Sequence, residues 1–275
     1  MIASIRSEWR KNLRRPAFIV AAAAVVGVVG LVYSIDYYQA WHPTAAQAAE
    51  AHLMRLELYP RELVNNLVGG AFPLGAALAL VLGALSAGSD YAWGTLKTAL
   101  VQRPGRLSIV VGRVVAFEVA MAVLSLLLFA AGAVSSALAA GADHQALVWP
   151  AALDLLRGIG AVWLVFACYG SLGILLGTLF RQGAAAVGLG LVYVVILQGI
   201  LVRFLGAAGG GSYRWLSDLF DGQNAAALLS SFTSPAFGPP RLLPISGTHA
   251  VTVLTVYLAV FLAGSAVLVA RRDVS

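Results

Sequence analysis

The sequence predicts an all-α integral membrane protein with six transmembrane helices. Three observations carry that expectation. The 275 residues are 60% hydrophobic and 11% charged, with mean hydropathy +0.86, whereas soluble domains carry about 25% charged residues. Six apolar runs are each long enough to cross a bilayer, which takes about 20 such residues. Stretches such as Val25-Val26-Gly27-Val28-Val29 and Leu124–Ala131 lack the apolar–polar alternation of barrel strands. No water satisfies the backbone inside lipid, so spans of this kind form helices.

Residues 1–15 read as an interfacial helix. Ile2, Ile5, Trp9 and Leu13 recur at helical spacing, and Arg6, Arg10, Lys11, Arg14 and Arg15 cover much of the rest. Such a helix lies in the headgroup plane with its basic face toward anionic lipid. It serves either as a plain anchor or as an elbow that steers the first span. That span, residues 16–35, is longer than the 7–15 residues of a signal-peptide core, so it reads as an anchor. A mixed-charge loop follows, with a surface helix expected over Ala45–Leu58. The second span, 67–87, opens at Asn65-Asn66 and carries Gly69-Gly70 and Pro73. Proline removes a backbone donor, so a kink is expected near Pro73.

Residues 88–106 form a short basic segment between two spans, with Asp90 as the expected N-cap of a short helix. Trp93, Leu96 and Leu100 share one helical face, and Gln102-Arg103-Pro104-Gly105-Arg106 supplies a turn. The third span, 114–140, holds Glu118, the one ionisable side chain within the six predicted spans apart from tyrosine and Cys168. A local ion pair with Arg113 is expected, with an ion or proton site as the alternative. In the fourth span, 158–180, Gly173 and Gly177 make a small-xxx-small face. Arg181-Gln182 then turns into the fifth span, 183–202, which contains Tyr193 and Gln198. Residues 203–249 are too polar to span, and two short amphipathic helices are expected there before the sixth span, 250–270.

Charge sets orientation. With the N-terminus inside, twelve of the eighteen Lys and Arg residues fall on the cytoplasmic side, as the positive-inside rule requires. Both termini are therefore expected in the cytoplasm. The net charge of +6 reflects this bias and lipid contact rather than nucleic acid. The lone Cys168 reads as packing.

Catalytic signatures are missing from the sequence. Lys11 and Lys97, the two lysines, follow Arg10 and Leu96, so no nucleotide-binding Gly-x-x-x-x-Gly-Lys-Ser/Thr loop exists. None of His42, His52, His144 and His249 precedes a glutamate, so the zinc motif His-Glu-x-x-His is also absent. Ser171 does not sit in the Gly-x-Ser-Gly turn of an intramembrane protease.

Several segments together resemble the ABC-2 type permease subunits of bacterial exporters. Ser7-Glu8-Trp9-Arg10-Lys11 with Arg14-Arg15-Pro16 is similar to the family's N-terminal start. Ser89-Asp90-Tyr91-Ala92-Trp93-Gly94-Thr95-Leu96 resembles its Glu-Tyr-x-x-Gly-Thr-Leu loop, with Asp90 in the glutamate's place. Leu176–Arg181 and Arg271-Arg272-Asp273 also fit. The resemblance implies one permease domain in a bacterial cell membrane, without a catalytic site or bound cofactor. ATP and Mg would sit on a separate ATPase subunit, and a second permease subunit would complete a homo- or heterodimer. Asp90, Tyr91, Trp93, Gly94, Thr95, Leu96, Lys97 and Leu100 would couple to the ATPase. Asn65, Asn66, Tyr193 and Gln198 would line the path of a hydrophobic or amphipathic cargo. The sequence leaves two other readings open: an autonomous transporter or channel using Glu118, and a membrane scaffold or immunity protein.

Overall fold

The computed structural model describes residues 16–45, 47–48, 50–70, 74–92, 106–207, 213–232 and 245–271. Every regular element among them is helical. Helix α1 (Pro16–Trp41) starts on Pro16, a good first-turn residue because the missing N–H has no intrahelical partner there. A short helix α2 (Ala51–Glu57) and a 3₁₀ turn (Pro60–Glu62) lead into α3 (Leu63–Gly70). Among the described residues of the expected stretch Ala45–Leu58, the helix is thus confined to α2.

Helix α4 (Leu74–Ala92) continues the second span at an angle. The two axes differ by 60°, at the interval that holds Gly69-Gly70 and Pro73. Asp90 and Tyr91 belong to the last turn of α4. Asp90 is therefore not an N-cap: the small residues Ser86-Ala87-Gly88-Ser89 let the apolar helix run on. The N-terminal segment 1–15 and the stretch from Trp93 to Gly105 lie outside the described residues.

Helix α5 (Arg106–Ala142) is followed by the most buried helix, α6 (Ala152–Phe180). The third membrane-crossing span is α5 and the fourth is α6. Arg181 ends α6 with φ 55°, and Gln182 is extended before α7 (Gly183–Leu191) begins. A π turn (Val192–Leu197) joins α7 to α8 (Gln198–Ala207) to make the fifth span. Two short helices, α9 (Arg214–Ser217) and α10 (Asp221–Ser230), precede α11 (Gly247–Arg271). Among the described residues five helices are long and apolar enough to cross a membrane, or six when α3–α4 counts as one bent span.

Helix α6 is the axis of the bundle, packed mainly against α4 and α11 and also against α5 and α7. Its most apolar stretch is 72% buried, against 22% for α1 and 17% for α11. The peripheral helices therefore turn their apolar faces outward to lipid or to a partner. Lipid is as apolar as leucine, so helices associate in it through close backbone packing rather than hydrophobicity. The α4–α6 contact shows this directly. A Cβ on Gly83 would overlap the Gly170 carbonyl, and one on Gly173 would overlap the Leu80 carbonyl and stand 2.8 Å from the Ala84 nitrogen. The Gly173–Gly177 face is thus turned to α4. Farther along, a Cβ on Gly88 would come within 2.5 Å of the Gly183 Cα, so this glycine lets α4 pass the turn between α6 and α7.

At the opposite end of the bundle from Pro16 and Arg271, called distal below, Asp143 ties three segments together. Tyr37 donates to its Oδ1 at 2.8 Å and Tyr59 to its Oδ2 at 2.9 Å. Hydrogen bonds to an ionised group contribute about 1.5–3 kcal/mol, so Asp143→Ala is expected to lower stability by roughly 2 kcal/mol. Burial, then the hydrogen bond and charge of Asp143, push the Tyr59 hydroxyl up to about 12, with Arg55 pulling the other way. A group held protonated in this way stabilises the fold below its unfolded pKa of about 10. That contribution is lost as pH rises from there through about 12. Thermal unfolding between pH 8 and 12 checks this: Tyr59→Phe should remove that part of the alkaline loss.

Candidate functional site

A cleft of about 1110 Å³ opens at the distal end between α3, α6, α10 and α11. Its composition is layered. Arg61 and Glu62 bring charge from the 3₁₀ turn before α3, and Asp154 and Arg157 from the first two turns of α6, while Val64, Ala161, Leu164, Leu228 and Val251 give apolar walls. The Asp154–Arg157 pair spans 3.7 Å with side chains 56% and 63% exposed, so it is a weak surface pair and stays available to a ligand. Thr252 and Thr255 of α11 also line the cleft, but each hydroxyl donates to its own helix, at 2.9 Å to Thr248 O and 2.7 Å to Val251 O. Gly160 of α6 faces the cleft with nothing within 4 Å of where a Cβ would stand.

The four residues grouped as a path from sequence separate in space. Asn65 lines the cleft. Asn66 instead donates at 3.2 Å to the Glu57 carbonyl, which ties α3 back to the end of α2. Tyr193 and Gln198 stand at either end of the π turn in a second site, where both reach the Asp221 carboxylate. Tyr193 donates to Oδ1 at 2.8 Å, and Gln198 Nε2 donates to the same oxygen at 2.5 Å. Gln198 also meets the Tyr169 hydroxyl of α6 at 3.3 Å. A Cβ on Gly222 would come within 2.5 Å of Gln198 Oε1, so this glycine lets α10 sit close. A π turn places side chains off the helical register, and such turns recur at functional sites.

Sequence reasoning missed Asp221, Tyr169 and the cleft's charged mouth. Asp221 had one visible signal: it stands between the apolar pair Leu219-Phe220 and the apolar run Ala225–Leu229. Glu118 also differs from the expectation. Its Oε1 accepts from Ser171 Oγ of α6 at 2.9 Å, and its Oε2 has no hydrogen-bond partner. The carboxylate thus reaches across to a neighbouring helix instead of pairing with Arg113 along its own. Trp163 adds a 3.3 Å hydrogen bond to the Glu118 carbonyl, fixing the same α5–α6 contact. Among the described residues no cluster of His, Cys, Asp and Glu could hold a metal ion. Of the expected coupling residues, Asp90 and Tyr91 end α4. Trp93, Gly94, Thr95, Leu96, Lys97 and Leu100 lie outside the described residues.

A central helix packed through glycines and five or six membrane-length helices among the described residues define a multi-pass helical membrane protein. The chain belongs to the ABC-2 family of transporter proteins, whose family model matches residues 2–274. Membership makes it the permease part of an ABC transporter, a system that works with an ATPase partner. No curated protein matches the chain in sequence.

Proposed function

We propose that this chain is the membrane subunit of an ATP-driven exporter that moves a hydrophobic or amphipathic cargo, such as a drug, antibiotic, lipid or peptide, out of a bacterial cell. ATP and Mg are bound by a separate ATPase subunit, and two permease subunits form the path. The observation that carries this reading is the distal cleft. It is charged at its mouth and apolar within, and the charge bias of the sequence puts that end outside. From Gly247 to Thr255 its α11 wall descends eight residues, or about 12 Å at 1.5 Å per residue. That is close to half of a hydrocarbon core about 30 Å thick. A cargo with a polar head and an apolar body fits such a cleft on its way into or through the outer leaflet.

Gly160→Leu tests the role of the cleft. The new side chain enters open space, so folding and ATPase docking should survive. Export should fall about tenfold, the effect of some 1.4 kcal/mol of lost cargo affinity. Unchanged export by a well-folded Gly160→Leu complex would remove the cleft from the path.

A further inference from the structure

Asp221 and Asn224 lie on the same helix, three residues apart, and both are fully buried at 0% exposure. Each keeps one acceptor oxygen without a donor. Oδ1 of Asp221 is occupied by Tyr193 and Gln198, but its Oδ2 has no hydrogen-bond partner. Asn224 spends its amide nitrogen on two carbonyls, Asp218 O and Phe220 O, both at 2.8 Å. Those bonds fix which way the amide points, and its Oδ1 is left without a donor. Residues three apart on a helix are neighbours, with Cβ atoms about 5–6 Å apart.

The surroundings offer the carboxyl no counter-charge among the described residues. The titratable groups that face it are Tyr169 and Cys168 of α6, Tyr193 of the π turn and Tyr257 of α11. All are neutral at physiological pH in their ordinary state. Burial without a cationic side chain disfavours the charged form and so favours the protonated acid. Burial pushes the Asp221 carboxyl up, against the pull of Tyr193, the Gly222 amide and Gln198.

We propose that Asp221 is a proton-binding site, with the proton held on Oδ2 and donated to Asn224 Oδ1. The two existing donors mark Oδ1 as the carbonyl oxygen of the acid, so the proton belongs on the other oxygen. One proton then supplies the missing donor and removes the buried charge. It comes from distal water and returns there when the carboxyl is exposed. Because Tyr193 and Gln198 stand on the fifth span and Asp221 on α10, this proton stabilises the docking of α10 on the π turn. A metal cation fits less well, since the Gln198 amide nitrogen points its hydrogens at the carboxyl.

The test uses the full chain in lipid nanodiscs. Infrared difference spectra at neutral pH compare the protein with Asp221→Asn, both in a Glu118→Gln background that removes a second carboxyl with an unpartnered buried oxygen. The expected result is loss of one protonated-carboxyl carbonyl band in Asp221→Asn. Hydrogen exchange across residues 221–230 gives a second readout. Protection should fall in the unsubstituted chain as the band disappears at alkaline pH. It should persist through that range in Asp221→Asn, because an amide offers both the carbonyl and the N–H that the protonated acid offers. Absence of the band at neutral pH would overturn the proposal, and so would loss of protection in Asp221→Asn at that pH.

Discussion

Replacing Gly173 by leucine is expected to prevent the chain from reaching its native fold. The Cβ alone would overlap the Leu80 carbonyl and crowd the Ala84 nitrogen. Both are backbone atoms in the middle of α4, so no flexible side chain can move aside. Relief requires α4 and α6 to separate along the contact that also contains Gly83, Gly170 and Gly177. Every other packing contact of α6 depends on its place at the centre of the bundle. The cost should be roughly 3 kcal/mol or more, at or beyond the top of the usual range for overpacking. Gly173→Ala should already lower thermal stability measurably. Gly188→Ala makes the control, since a Cβ there meets nothing within 4 Å. It should be neutral or stabilising by about 0.5–1 kcal/mol, the ordinary gain of alanine over glycine in a helix. Thermal unfolding of the three purified variants ranks them.

The second large effect is expected at the segment that follows α4. Gly94→Arg and Leu96→Asp should each cut ATP-dependent export more than tenfold, a change of over 1.4 kcal/mol in the coupled step. The physical ground is positional. Helix α4 packs along α6 and ends at Ala92, so a push on the segment beyond it is delivered straight to the bundle's central contact. The segment's apolar Trp93, Leu96 and Leu100 suit a protein partner, and Lys97, Arg103 and Arg106 suit the membrane surface. Co-purification of the ATPase and stimulation of its ATP hydrolysis should fall together with export. Retention of all three in a well-folded Leu96→Asp protein would refute the coupling role.

The sequence made the spans legible because lipid demands long uninterrupted apolar helices. It also showed one half of the central contact: Gly173 and Gly177 stand four residues apart on α6. The other half was not legible, because nothing in Gly83 or Gly88 alone says which helix it will meet. Helix ends were blurred for a related reason. Small residues such as Ala87, Gly88 and Ser89 fit either a loop or a helix continuing out of the membrane, and here they continue to Ala92. The cleft could not be read at all, since its walls come from positions as distant as Arg61 and Thr255. Asp221 was hidden because a polar stretch between spans looks solvated. The fold instead buries it at the start of α10, where Tyr193 and Gln198, two of the expected path residues, donate to its carboxylate. The bond from Asn66 to the Glu57 carbonyl was hidden for the same reason: a side chain's type does not reveal which backbone group it will meet.

The central claim is that this permease does no work alone and is driven by ATP bound to another polypeptide. The direct measurement is uptake of a fluorescent amphiphile into proteoliposomes whose outer faces expose the ATPase-docking side. Three preparations are compared: the chain alone, the chain with its ATPase subunit, and the same complex with a hydrolysis-deficient ATPase. Uptake above that of empty liposomes is expected only in the second, and only with ATP and Mg. Equal uptake by the chain alone, abolished by Glu118→Gln, would contradict the account and establish an autonomous transporter instead.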